Sequence, residues 1–154
     1  DTTMAATAAG KQSIDLVRSY NRDVFNGRDY DRIGEIQHEN YVQHGPMAGM
    51  EIRGIDESTE TTKLFHDAFS DLEATEEFAV RDDDGEFVST RYTYRGTHDG
   101  DLMGVPATDA RAEVPGLVVN RIEDGKIAEA WITVDFLGLL QQVGVLPSLD
   151  EIAA

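Results

Sequence analysis

There is no cysteine in these 154 residues, which excludes disulfides and thiolate metal sites and leaves the redox compartment undetermined. Lysine is nearly as scarce, occurring only as Lys11, Lys63 and Lys126. Thirty acidic residues stand against thirteen basic ones, a formal charge of -17. Such a surface repels phosphate backbones and anionic lipid, so we expect no nucleic-acid and no membrane partner. No apolar run approaches the length of a membrane span, and the start has no basic region followed by an apolar stretch. A soluble, cytoplasmic chain is the expectation. Self-repulsion of this size is relieved when salt shortens the Debye length to about 3 Å at 1 M. The acidic, lysine-poor composition therefore reads as that of a halophile, an ordinary acidic protein being the alternative. Glycine-rich phosphate loops, dinucleotide fingerprints and His-x-x-x-His pairs are also missing, and Asp82-Asp83-Asp84-Gly85 lacks calcium-loop spacing. No metal and no cofactor are expected.

What is present centres on Arg121–Leu140, two alternating runs joined by Asp124-Gly125, the dipeptide that most readily makes a two-residue hairpin turn. A tight turn pairs Glu123 with Lys126, Asn120 with Glu129, Val118 with Trp131 and Gly116 with Thr133. Alternation then puts Ile127, Glu129, Trp131, Thr133 and Asp135 on one face and Ala128, Ala130, Ile132 and Val134 on the other. The second face reads as core. The first, with two carboxylates and the single tryptophan, reads as a ligand-pocket wall.

Upstream, Lys11–Asn26 carries a helical stripe (Ile14, Val17, Val24) and a shorter helix is expected over Asp29–Gln37, before an extended Asn40–Gln43. Asp56–Phe69 reads as a third helix. From Leu72 the period becomes two: Phe78 and Val80, a turn at Asp83-Asp84-Gly85, then Val88, Thr90, Tyr92, Tyr94 and His98. A three-residue loop would set these on one face. Asp99–Asp109 is a loop, Arg111–Ile122 a strand bent at Pro115-Gly116, and Phe136–Val143 a closing helix. Residues 11–146 form one domain between a frayed tail at 1–10 and a tail at 147–154. Helices followed by long antiparallel strands make an α+β fold, with N-terminal helices packed on a strongly curved antiparallel sheet that encloses a pocket.

Three stretches carry a family resemblance: Arg91-Tyr92-Thr93-Tyr94-Arg95-Gly96-Thr97-His98 continuing to Gly104-Val105-Pro106, then Arg121–Ile127, then Glu129-Ala130-Trp131 with Asp135 and Leu139-Leu140-Gln141-Gln142-Val143-Gly144. The chain resembles the SnoaL-like polyketide cyclases of the NTF2-like superfamily, over roughly Tyr41–Gly144. The resemblance implies an NTF2-like cone and an aspartate acid/base in an intramolecular aldol closure, which by motif position is Asp135. One departure lies at Pro106-Ala107-Thr108-Asp109, where the family usually has Pro-x-Thr-Gly.

An aldol closure needs a base for the proton α to a carbonyl and an acid for the new alkoxide, and one carboxyl whose pKa burial has raised can serve as both. Asp135 fits that role, or it is the N-cap of the closing helix. His98, on the face of Tyr92 and Tyr94, either polarises a carbonyl or is satisfied by loop backbone. His44 either faces the cavity or solvent; His38 and His66 read as surface. Trp131, Tyr92, Tyr94, Asn120 and Glu129 are the candidate ligand contacts, with core packing and a solvated Asn120–Glu129 pair as alternatives. The expected activity is cofactor-independent acid/base chemistry on a small apolar carbonyl compound. An isomerase, an epoxide hydrolase or a non-catalytic ligand-binding module of the same fold are the other readings. An aromatic sheet face left bare by helices would pair two copies, so a homodimer or larger homo-oligomer is expected.

Overall fold

A computed structural model describes residues 2–154. Val17 and Val24, the centre of the first stripe, are buried in the main core. Helix α1 runs Thr2–Ser19 and so begins well before Lys11; Asp1 lies outside the described residues. It opens into a π-helical turn, Tyr20–Asn26, which widens the helix and ends, as expected, at Gly27. Asn26 then ties this turn to Ala74, accepting from its amide at 2.9 Å and donating to its carbonyl at 3.0 Å. The second expected helix is a 3-10 turn, Tyr30–Arg32, followed by a single turn α2, Ile33–Ile36.

Gln37 does not end that helix but starts strand β1, Gln37–His44, which pairs with a short β2, Glu51–Arg53. Helix α3, Gly54–Ala68, crosses to the far edge of the sheet, and β3 (Glu73–Arg81), β4 (Phe87–Thr97), β5 (Arg111–Glu123) and β6 (Lys126–Val134) step back by antiparallel pairing. The order is β2-β1-β6-β5-β4-β3. Because α3 carries the chain across before the meander returns, β6 meets β1 in parallel. The sheet is therefore mixed rather than wholly antiparallel. Helices α4, Phe136–Gln142, and α5, Leu149–Ala153, follow, the latter within the stretch expected as a tail.

Two registers differ from expectation. At the central hairpin Asp124 and Gly125 have positive φ (53° and 71°) and Glu123 faces Lys126, as the dipeptide requires. Ile122 then faces Ile127, but Arg121 faces Glu129, so Ala128 is an extra, bulged residue. Beyond it Asn120 faces Ala130, Val118 faces Ile132 and Gly116 faces Val134. At the β3–β4 hairpin the loop is one residue longer than expected, which sets Arg81 opposite Val88. Phe78 and Val80 consequently point away from Tyr92 and Tyr94, and both are more than half exposed, at 54% and 56%.

Candidate active site

The concave side of the sheet and the helices enclose a cavity of about 170 Å³. Its sheet wall comes from alternate positions of three strands: Tyr92 and Tyr94 on β4, Val118 and Asn120 on β5, Ala130 and Ile132 on β6. Tyr20 and Phe25 from the π-helical turn and Phe65 from α3 close the helical side. At the α4 end Phe65 meets Phe136 edge to face, with ring centroids 6.3 Å apart. The ring of Tyr94 lies over Gly116, where a Cβ would come within 2.5 Å of its Cε2. The absent side chain is thus what lets that aromatic wall form.

Among the described residues no carboxylate and no lysine lines this space, and the one arginine among them, Arg95, turns its guanidinium to Glu113 (3.1 Å) and the Thr75 hydroxyl (3.2 Å). Polarity inside is instead neutral. The Tyr41 hydroxyl donates to Gln43 Oε1 at 3.0 Å, and the Tyr20 hydroxyl lies 3.5 Å from that of Thr62. Burial pushes the Tyr92 phenol up to about 12 and raises Tyr20, Tyr41 and Tyr94 as well. All four remain protonated at neutral pH, as donors without charge.

Of the eight residues singled out from sequence, Tyr92, Tyr94 and Asn120 line the cavity. Trp131 and Glu129 do not. Ile127, read on the mixed face but placed before the Ala128 bulge, lines the cavity. Beyond that bulge the strand face read as core is also the cavity wall, since the hollow lies between the concave sheet and the helices, and the mixed face is the convex outside. There His44 stacks on Trp131 (centroids 5.5 Å apart, planes inclined 19°) and its Nε2 lies 2.6 Å from Glu129 Oε2. That contact, and then Arg121, hold the Glu129 carboxyl below the usual range. Glu129 therefore pairs with His44 and Arg121, not with Asn120.

His98 is fully buried, packed on the Phe69 ring with Nδ1 3.0 Å from the Thr108 hydroxyl, while its backbone carbonyl accepts from the amides of Thr108 and Asp109. It holds the 99–110 loop and does not reach the cavity. Asp135 is exposed and caps α4, its Oδ1 accepting from the Gly138 amide at 2.8 Å. Its two neighbours, Val134 and Phe136, both line the cavity. Two other histidines differ from their reading. His66 is buried, its Nδ1 2.7 Å from the Tyr30 hydroxyl, because α3 turns that position toward Phe25 and Tyr30. His38 stands on β1, partly buried, near Asp124.

Sequence reading missed Tyr20, Gln37 and Tyr41 as cavity residues. Tyr20 was visible beside the first helical stripe, whereas nothing in the local pattern marks Gln37 as buried. Among the described residues no three His, Asp or Glu side chains gather as a metal site, and no helix is long and apolar enough to cross a membrane.

The profile of the SnoaL-like polyketide cyclase family matches residues 15–143. The chain is 31% identical over 132 residues to the aklanonic acid methyl ester cyclase DnrD of Streptomyces peucetius, covering 85% of this chain and 90% of that protein. It is 30% identical over 129 residues to the nogalonic acid methyl ester cyclase of Streptomyces nogalater, covering 78% and 89%. Among solved structures, IdmH of Streptomyces antibioticus is similar, with a TM-score of 0.74 and 30% identity across 87% of this chain and 99% of that one. With a helix-lined, curved sheet around an apolar cavity and a family match over nearly its whole length, the chain belongs to the SnoaL-like polyketide cyclases.

Proposed function

We propose that the cavity takes a small, neutral, largely apolar carbonyl compound and that the enzyme closes a ring in it by cofactor-independent intramolecular aldol chemistry, with Asp135 moving the proton. The observation that carries this is the absence of a free charge among the described residues inside. A free carboxylate on the ligand would be stripped of water with no cation to meet it, a cost of several kcal/mol. An ester loses little on entering, in keeping with the methyl esters named for two relatives.

In this reading the Asp135 carboxylate leaves the Gly138 amide and turns between Val134 and Phe136 to the α4 end of the cavity. It takes a proton α to one carbonyl; the resulting enolate carbon bonds to a second carbonyl carbon; the alkoxide so formed takes the proton back from the Asp135 carboxyl. Atoms and electrons balance within one substrate. Neutral phenols such as Tyr94 stabilise the enolate oxygen by donation. His98 contributes by holding the 99–110 loop through Thr108, and His44 by fixing Glu129 outside the sheet; neither touches the ligand.

Asparagine caps a helix about as well as aspartate, so Asp135→Asn separates the two roles. With aklanonic acid methyl ester and nogalonic acid methyl ester as substrates, followed by chromatography, the variant should keep its Tm and lose turnover at least about a hundredfold. Turnover within a few-fold of the parent would overturn the assignment. The exposed, capping position of Asp135 favours one alternative, a ligand-binding module without turnover, in which the parent protein binds these esters and converts neither.

A further inference from the structure

The cavity, at about 170 Å³, is small. An apolar cavity of about 150 Å³ holds one benzene, whereas sites that bury a drug-sized ligand run to about 300–1,000 Å³. A compound that closes a ring and also carries an ester is larger than benzene, so part of the wall has to move to admit it.

Most of the wall is tied down. The strands are held by their ladders, and the π-helical turn by Asn26 on Ala74. The Arg28 guanidinium adds bonds to the carbonyls of Phe25 (3.0 Å), Asn26 (2.9 Å) and Ser70 (3.0 Å). Helix α4 is clamped to β5, where the Gln142 side chain accepts from the Glu113 amide at 2.7 Å and donates to its carbonyl at 3.0 Å.

The loop at 45–50, between β1 and β2, is fastened differently. Its Pro46 lines the cavity together with Ile132. Two of its hydrogen bonds are internal, from the Gly45 amide to the Met50 carbonyl and from the Met50 amide to the Met47 carbonyl. Among the described residues one more reaches it from outside: Gln43 Nε2 donates to the Gly45 carbonyl at 3.1 Å. Gln43 is itself aimed by the buried Tyr41 hydroxyl, which donates to its Oε1 at 3.0 Å. Gly45 and Gly49 have φ of 92° and 80°, a backbone that glycine adopts without steric cost. On its outer side the loop borders a second hollow of about 510 Å³, shared with Trp131 and Thr133. Pro46 thus has the cavity on one side and room to move on the other.

We infer that the 45–50 loop is the lid of the cavity and Gln43 its latch: the loop swings into the outer hollow, taking Pro46 from the cavity wall, and closes again when Gln43 bonds the Gly45 carbonyl. Small residues near the ends of the moving segment are usual for such hinges. His44 pairs with Trp131 on β6, so the loop continues alongside the end of that strand from which Asp135 follows. The lid therefore opens on the side of the proposed proton transfer. The inference rests on the proposed function only in taking this cavity as the ligand site.

The test mixes the full chain with Prodan, a neutral naphthyl ketone whose emission shifts to the blue in apolar surroundings, by stopped flow. A latch that closes over the empty and the filled cavity alike slows entry and release together. Gln43→Met, which keeps the side-chain length and loses both bonds, should speed each of them roughly fivefold, the size of one ordinary hydrogen bond, and leave Kd within about twofold. A side chain that served only as wall would change release and Kd and leave entry alone. Tyr41→Phe, which removes the group that aims Gln43, should shift both rates in the same direction, and the double variant should be no faster than Gln43→Met. Should Gln43→Met fail to fold, Tyr41→Phe decides alone. Entry at the parent's rate in the variants overturns the inference and leaves the cavity standing as a ligand site. Single-variant effects that multiply in the double variant overturn the latch, since Tyr41 then does not act through Gln43. Failure of Prodan to bind the parent overturns both the lid and the cavity's assignment.

Discussion

Asp135 carries two tasks that pull its carboxylate in different directions, the cap of α4 and the proposed proton transfer. Gly138 is the residue that permits the first, since a Cβ there would run into the Asp135 carboxyl group. Asp135→Ala should accordingly cost about 1 kcal/mol in urea unfolding, the usual worth of an N-cap, while Asp135→Asn costs almost nothing. His66 makes a separate prediction. Burial, then the nearby Arg28, lowers its pKa below 6.5, against the opposing pull of the Phe25 backbone and Asp67. The folded state therefore binds fewer protons than the unfolded one, so stability rises with pH in that range. Its contribution is full above 6.5 and is lost as pH falls from there through the depressed folded value. Urea midpoints measured from pH 5 to 8 should show this slope, and His66→Gln, which keeps a partner for the Tyr30 hydroxyl, should flatten it.

At the level of elements, the long hairpins were legible because period-two alternation and the Asp124-Gly125 turn are local signals, and so was the first helix, whose stripe ends at a glycine. The bulge at Ala128 was not, since nothing in Ile127-Ala128-Glu129 distinguishes a bulged alanine from a paired one. That single residue changed every cross-strand partner beyond it. The loop after Arg81 failed in the same way: Gly85 marked the turn but not the count of residues in it. Strand β2 is too short to show a period, and the burial of Gln37 depends on α2 stopping one residue early. The pocket face was misassigned for a different reason, because the core side and the ligand side of a curved sheet are the same side. Gly116 is the element-level residue most open to test. Gly116→Ala should cost about 1–3 kcal/mol, the range for overpacking, since the Tyr94 ring must move. Adding Tyr94→Leu should recover much of that cost, a coupling that a double-mutant cycle in urea would measure.

For the whole molecule the balance is between a charge of -17, which drives copies apart, and a set of exposed apolar side chains on the mixed outer sheet face, which draws them together. Phe78, Val80, Phe87, Leu117 and Trp131 lie exposed on that face, with Phe87 and Trp131 in contact at 6.5 Å between centroids. No described helix covers them. Salt screens the repulsion and leaves the apolar attraction intact, so both stability and association should rise with ionic strength. We expect Tm to increase steadily from 0.1 M to 2 M KCl. A Tm that is flat or falling over that range would count against the halophile reading. We also expect a homodimer paired through this face, seen by light scattering after size exclusion at 1 M KCl. Leu117→Glu with Trp131→Glu should convert it to a monomer, since each places a carboxylate in the middle of the pairing surface while leaving the concave cavity wall untouched. A parent protein that runs as a monomer at molar salt would sink this prediction, and would mean that the His44–Trp131–Glu129 cluster is an exposed surface feature rather than part of a subunit contact.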